Sequence, residues 1–368
     1  MEEIYNTYLP GTPKAELDTP ALLIDLDVME RNLETAAAFF RSVKADLRPH
    51  TKTSKCPIIA RKQIEAGAIG VCCAKVGEAE QMVFGGVENI LIANQVVGRS
   101  KVARLMSLAR RARMKVAVDD PQNVKDLSEA AQAFGADLDV LVEVNVGMDR
   151  CGVEPGQPVA ELAKVVTRSK GLRFMGLMGY EGHLQNVTPF EKREAEAKKA
   201  MALLLQSKES VEKAGIPIEV VSAGGTGTYN ITGRISGITE IEAGSYVFMD
   251  AAYRKVLQDF ECALTVLTTV ISRPAPNRAV VDIGRKSISN DMGMPVVFNV
   301  PGATLVGLSE EHGTLTVEGD ASQLRPGDKI EILPSHGDTT INIHSHYFAT
   351  RKGKLEAIWE IVGRGKFR

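Results

Sequence analysis

Residues 47–57 read Leu47-Arg48-Pro49-His50-Thr51-Lys52-Thr53-Ser54-Lys55-Cys56-Pro57. An extended run reaches a lysine here and breaks into a loop of threonine, serine and lysine. Side chains alternate faces along a strand. Arg48, His50 and Lys52 then share one face, which suits a polar site better than an apolar core. An amine held at a strand end can form a Schiff base with a carbonyl compound; the same residues also suit a solvated basic loop. The choice turns on whether this strand stands alone or opens a repeating pattern.

It opens one. Apolar, strand-like runs at 47–52, 70–75, 89–96, 115–119, 139–146, 172–180, 218–222 and 240–247 are separated by amphipathic stretches such as 57–66, 99–112, 124–134 and 190–214. Eight alternations of strand and helix predict a (β/α)8 barrel. Upstream, 1–18 reads as an irregular arm and 19–27 (TPALLIDLD) as a buried strand that suits either part of the chain. Residues 28–43 carry Met29, Leu33, Ala36, Phe39 and Phe40 at helical spacing. From Glu261 the texture changes. Runs at 263–272, 279–284, 304–308, 314–318 and 329–334 read as strands between Pro, Gly and Asn turns, with no helix among them. The expected α/β architecture is a barrel over 19–260 and a C-terminal all-β domain over 261–368, joined by part of 1–27.

The 368 residues are 44% hydrophobic and 24% charged with a net charge of -2, which describes a globular protein. The signs are mixed along the chain, so no footprint for nucleic acid or an anionic membrane is expected. No apolar run reaches the length of a membrane span, and the acidic N-terminus has no signal-peptide core. Five cysteines, odd in number and without a CxxC pair, fit reduced thiols and a cytoplasmic location.

Two glycine-rich turns follow the seventh and eighth runs: Ser222-Ala223-Gly224-Gly225-Thr226-Gly227-Thr228 and Ala243-Gly244-Ser245-Tyr246. In barrels, the loops after strands 7 and 8 frequently hold a phosphate on backbone N–H groups. Glycine permits close approach, and Thr226 and Ser245 add hydroxyl donors. Either turn alone is only a turn; their place after the last two of eight strands points to a phosphate. A Rossmann site is not expected, because no GxGxxG follows the first strand.

Other polar residues fall at strand ends. Arg150, in Asn145-Val146-Gly147-Met148-Asp149-Arg150, suits a hydrogen bond to a cofactor ring or a surface ion pair. In Tyr180-Glu181-Gly182-His183, Tyr180 suits stacking on a planar ring and His183 suits acid–base work, or both are ordinary loop residues. Tyr253 follows Met249-Asp250 and reads as a further site candidate. Near the C-terminus, 334–346 holds three of the six histidines. In an extended chain His336 and Asp338 lie on one face, where an imidazole and a carboxylate can hold a divalent ion with positions left open. His344 and His346 form a second such pair. A polar, histidine-rich turn is the alternative.

Taken together, DTPALLIDLD, RPHTKTSKCP, GVCCAKVGEAE, VEVNVGMDRCGV, AGGTGT, EAGSYVFMD, PSHGD and the late GRG resemble the fold-type III pyridoxal phosphate enzymes of the alanine racemase fold. Within them the chain is most similar to the D-threonine aldolase and D-serine dehydratase branch. The resemblance implies pyridoxal 5'-phosphate on Lys52. It implies Gly225, Thr226, Gly227, Gly244 and Ser245 at the phosphate, Tyr253 as a cofactor-binding tyrosine, and Arg150 and Tyr180 beside the ring. It implies a divalent metal (Mg, Mn or Zn) on His336 and Asp338, and His183 is a candidate base. In this branch HxD accompanies aldolases and HxC dehydratases. Two departures stand out: Ala74 occupies a position often held by Gln, and 180–186 lacks histidines usual after the tyrosine and the glutamine. The implied function is a metal-assisted lyase that cleaves a β-hydroxy-D-amino acid, of the D-threonine or 3-hydroxy-D-aspartate type, to glycine and an aldehyde. A dehydratase giving a keto acid and ammonia, and a non-catalytic pyridoxal phosphate carrier, are the alternatives. A homodimer is implied as well.

Overall fold

The computed structural model describes residues 8–368. Among them, eight parallel strands form one sheet: Asp46–Leu47, Val71–Cys73, Asn89–Gln95, Arg113–Val118, Leu138–Glu143, Leu172–Gly179, Val220–Ala223 and Glu240–Ile241. Each overlaps one of the eight runs read from the sequence. Asp46–Leu47 pairs with Glu240–Ile241. On its other side the chain beyond Leu47 pairs with Val71–Cys73: Ile69 N–H donates to Leu47 O at 3.0 Å, Cys72 N–H to Pro49 O at 2.8 Å and Thr51 N–H to Cys72 O at 2.8 Å. These bonds close the ring, and the (β/α)8 barrel is present as expected.

Helices Pro57–Glu65, Val76–Phe84, Arg99–Ala109, Pro121–Phe134, Gln157–Arg168 and Phe190–Lys213 alternate with the strands. Local chemistry sets their ends. Before Pro121–Phe134, the Asp120 carboxylate accepts the Asn123 N–H at 2.9 Å, and Pro121 sits where a helix needs no N–H. Burial of Val124, Leu127 and Ala131 gives that helix one apolar face.

Cys72, Leu91, Ala117, Leu141, Met175 and Met178 pack the barrel interior. Fully burying one such leucine contributes about 1.5–3 kcal/mol. Arg48 is also inside, 2% exposed. Its Nε donates to Glu240 at 2.9 Å and its Nη1 to Asn89 Oδ1 at 3.1 Å. The polar face expected for Arg48, His50 and Lys52 therefore loses its first member, which is held by a structural ion pair.

The second sheet has nine strands: Ala21–Asp25, Leu264–Ala275, Arg278–Val281, Val296–Phe298, Ala303–Leu308, Gly313–Val317, Lys329–Leu333, His346–Arg351 and Lys354–Glu360. Ala21–Asp25 lies antiparallel to Leu264–Ala275 and parallel to His346–Arg351. The sequence reading passed over Val296–Phe298 and the final pair. It also expected no helix here, yet Gly337–Ile341 is a helical turn.

By packing, one unit comprises the described residues up to Thr35, Thr53–Lys55 and Ser245–Arg364; the other comprises Ala36–Lys52, Cys56–Gly244 and Gly365–Arg368. This division falls earlier than the expected one at residue 260. Backbone bonds explain why: Ala263 N–H donates to Phe248 O at 2.8 Å and Ala251 N–H to Pro334 O at 2.9 Å. No helix among the described residues is long and apolar enough to cross a membrane.

Candidate active site

Lys52, Arg150 and Tyr180 come from the loops after three different barrel strands, at their C-terminal ends, where barrel enzymes place their chemistry. Lys52 Nζ lies 5.9 Å and the Arg150 guanidinium carbon 5.5 Å from the Tyr180 ring centroid. Burial pushes the Tyr180 phenol above its ordinary value, and the charges of Lys52 and Arg150 oppose that rise. The phenol thus stays protonated at neutral pH. The Lys52 N–H donates to His50 Nδ1 at 3.3 Å, so His50 braces the loop that presents the lysine. His183 occupies the short turn Gly182–Leu184, exposed and beside Gly147.

The turn after Val220–Ala223 is built by two residues the sequence reading passed over. Glu181 is 0% exposed. Its Oε1 accepts the Thr228 hydroxyl at 2.7 Å and the Thr232 hydroxyl at 2.6 Å, and its Oε2 accepts the Gly224 N–H at 3.1 Å. Gln185 Oε1 accepts the Gly227 N–H at 2.8 Å, and its amide donates to Thr228 at 3.1 Å. The segment that carries Tyr180 and His183 therefore clamps Gly225, Thr226 and Gly227. A side chain at Gly227 has no room: a Cβ there would lie 2.1 Å from Gln185 O. At Gly244, after the last barrel strand, a Cβ would lie 2.3 Å from His50 O. Only glycine permits this backbone course. The two turns and Lys52 meet the demands of a phosphate-bearing aldehyde: close backbone approach, an amine and an aromatic neighbour.

Ser245 and Tyr253 belong to the other unit. The Ser245 and Thr53 hydroxyls lie 3.2 Å apart. Tyr253 opens the short turn Tyr253–Lys255, and its N–H donates to Asp250 Oδ1 at 2.9 Å. The other oxygen of Asp250 accepts the Gly337 N–H at 2.9 Å. One buried carboxylate thus fixes both the Tyr253 turn and the residue between His336 and Asp338. Burial pushes that carboxyl up to about 6, against the pull of those N–H donors.

The HxD motif is not an extended run, as the sequence suggested. His336 has extended backbone (φ -142, ψ 115), but Asp338 stands in the first turn of Gly337–Ile341. The helical turn begins there because the Gly337 N–H is already held by Asp250. Asp338 Oδ1 is buried and has no hydrogen-bond partner within the protein, a state that an ordered water or an ion satisfies. His336 Nδ1 lies 2.8 Å from Asp291 Oδ2. Among the described residues no cluster of three or more His, Cys, Asp or Glu is gathered as a metal site. His344 is differently engaged, its Nε2 lying 2.7 Å from Ser287 O.

Two family profiles match the chain: the alanine racemase N-terminal domain over 24–252 and the serine dehydratase domain over 263–350. The chain is 40% identical over 360 residues to a D-threonine aldolase of Arthrobacter sp, covering 97% of this chain and 95% of that one. It belongs to the alanine racemase-fold family of D-amino acid aldolases and dehydratases. A second member, a 3-hydroxy-D-aspartate aldolase of Paracoccus denitrificans (strain Pd 1222), is 37% identical over 369 residues, 97% of this chain and 95% of that one. The crystal structure of a family D-threonine aldolase from Filomicrobium marinum superposes with a TM-score of 0.96 at 45% identity, covering 98% of this chain and 99% of that one. Membership implies pyridoxal phosphate as cofactor, which the barrel residues described above fit.

Proposed function

We propose that the chain is a pyridoxal phosphate-dependent lyase that cleaves a β-hydroxy-D-amino acid, of the D-threonine or 3-hydroxy-D-aspartate type, between Cα and Cβ to give glycine and an aldehyde. The observation that carries this reading is the full-length likeness to two aldolases in a chain whose Lys52 and Arg150 flank the Tyr180 ring at the barrel's C-terminal end.

When bound, pyridoxal phosphate supplies a conjugated ring that accepts the electron pair of the breaking Cα–Cβ bond. Lys52 would hold its aldehyde carbon. The N–H groups around Thr226 and at Gly244, with the hydroxyls of Thr226 and Ser245, would hold its phosphate. Tyr180, Arg150 and Tyr253 would hold the ring of the group. His183 would take the proton of the substrate β-hydroxyl, and the return of that proton to Cα would balance the release of glycine. His336 and Asp338 would hold a divalent ion, Mg, Mn or Zn, which would lower the pKa of the β-hydroxyl as it does that of bound water. The buried Asp338 oxygen supports this part of the reading. A homodimer and a cytoplasmic location complete it; sedimentation and activity on dilution test the former.

Incubating the purified enzyme with D-threonine and 3-hydroxy-D-aspartate, with and without chelator, tests the proposal. Glycine and aldehyde in equal amounts, lost on chelation and restored by metal, are expected. Keto acid and ammonia instead would make it a dehydratase, the activity named for a more distant relative. No turnover of any β-hydroxy-D-amino acid would leave a carrier.

A further inference from the structure

We infer that Asp291 is a positioning residue for the metal, acting through His336; this rests on the metal reading above. The two residues are far apart in sequence, with |i−j| of 45. Asp291 sits in the 282–295 connection between Arg278–Val281 and Val296–Phe298, and His336 follows Lys329–Leu333. The fold alone brings them together.

The geometry is that of a carboxylate set behind a ligating imidazole. Asp291 Oδ2 stands 2.8 Å from His336 Nδ1. A carboxylate accepts, so Nδ1 carries the hydrogen, and Nε2 is left with the lone pair that a metal requires. Asp291 is itself fixed. Its Oδ1 accepts the Ser289 hydroxyl at 2.7 Å and the Thr339 hydroxyl at 3.0 Å. Thr339 immediately follows Asp338, the second metal candidate. One carboxylate therefore sets the tautomer and ring plane of the first ligand and is anchored to the helical turn that carries the second.

A second observation fits a cation beside this pair. Asp338 Oδ1 is buried and unpartnered. Asp291 is partly exposed, with a side chain 43% accessible, yet it turns to His336 and Thr339 rather than to solvent. Carboxylates behind ligating histidines typically strengthen metal affinity by about ten- to a hundredfold.

The test is titration calorimetry of Mn2+ into cofactor-loaded enzyme stripped of metal, for wild type, Asp291→Asn, Asp291→Ala and His336→Ala. The cofactor absorbance serves as a check of the fold and of the pyridoxal phosphate site. Asp291→Asn and Asp291→Ala should weaken Mn2+ binding about ten- to a hundredfold with unchanged absorbance. Their kcat should climb back towards wild type as Mn2+ is raised, a rescue that a merely structural lesion does not give. Thr339→Val, which removes only the anchor, should shift affinity in the same direction by less. If His336→Ala loses Mn2+ binding while both Asp291 variants bind as wild type does, the positioning role is overturned and the metal site stands. If His336→Ala binds as wild type does, the metal reading itself fails. Weak binding in Asp291→Asn that excess Mn2+ does not rescue in kcat would also overturn the inference.

Discussion

The Glu181 carboxylate accepts the Thr228 hydroxyl at 2.7 Å inside the barrel wall, which ties the loop after Leu172–Gly179 to the glycine turn after Val220–Ala223. The neighbouring hydroxyl of Thr232 and the N–H of Gly224 fill the same carboxylate. Hydrogen bonds to a charged group are worth about 1.5–3 kcal/mol each, and donors left buried without an acceptor add a penalty. Glu181→Ala should therefore destabilise the protein by roughly 3 kcal/mol or more and raise the Kd for pyridoxal phosphate at least tenfold. Glu181→Gln, which keeps the shape, should do less of both. Urea unfolding and cofactor titration read these effects. Unchanged cofactor affinity in a folded Glu181→Ala variant would show that the clamp does not shape the turn.

Lys52→Ala should abolish the visible absorbance of the bound cofactor together with activity, because Lys52 is the amine beside the Tyr180 ring. Lys55 is the rival, three residues on. It is only 8% exposed and its backbone carbonyl accepts the Gly363 N–H at 2.9 Å, so Lys55→Ala should perturb stability and leave the absorbance in place. The opposite pattern would reassign the lysine.

The barrel was legible because most of its parallel strands, buried on both faces, read as near-continuous apolar runs; the polar first run, 47–52, was legible from its place at the head of the repeat. Lys52, Tyr180 and Arg150 were singled out because they stand just past strand ends, and the fold brings the three side chains together. The role of Arg48 was not legible: alternation tells which side a residue faces but cannot reveal a partner such as Glu240, with |i−j| of 192. Glu181, Gln185, Asp250 and Asp291 were passed over for a related reason. They act by holding other residues, and a single acidic or amide residue in a loop carries no spacing that marks such work. The HxD spacing suggested an extended backbone, whereas Asp338 stands in a helical turn whose Gly337 N–H is held by Asp250, 87 positions away in sequence.

Stability should depend on pH through Glu242. This carboxyl, 6% exposed, accepts the Ser222 hydroxyl at 2.8 Å, and burial, with Glu240 and Glu143 adding to it, pushes it up to about 7 from an ordinary 4.5. The folded state therefore holds the proton more tightly than the unfolded chain. The associated stability is fully present below about pH 4.5 and is lost as pH rises through 7. Glu242→Gln cannot lose a proton, so relative to wild type it should gain on the order of 3 kcal/mol between pH 4.5 and pH 8. Urea unfolding of both proteins at those two pH values checks this. A difference that does not change with pH would mean that Glu242 keeps its charge in the folded protein.

His336→Ala should leave pyridoxal phosphate bound but remove most lyase activity. The division of labour follows from where the groups lie. Lys52, Thr226 and Gly244 belong to the barrel unit, whereas His336 and Asp338 belong to the unit built on the nine-stranded sheet. A metal on that pair is asked only to acidify the substrate hydroxyl, so its removal should strike turnover and spare cofactor occupancy. Loss of such a Lewis acid removes several kcal/mol of transition-state stabilisation, on the order of a thousandfold in rate. Asp338→Ala should act in the same direction, less severely if water fills the vacated position. His344→Ala supplies the control. Its Nε2 is already engaged at 2.7 Å with Ser287 O, so the variant should lose packing and some stability while keeping its metal dependence. Steady-state rates with defined metal and after chelation, beside cofactor absorbance, separate these outcomes. A His336→Ala enzyme that retains activity within a few-fold of wild type after rigorous chelation would remove the metal from the mechanism.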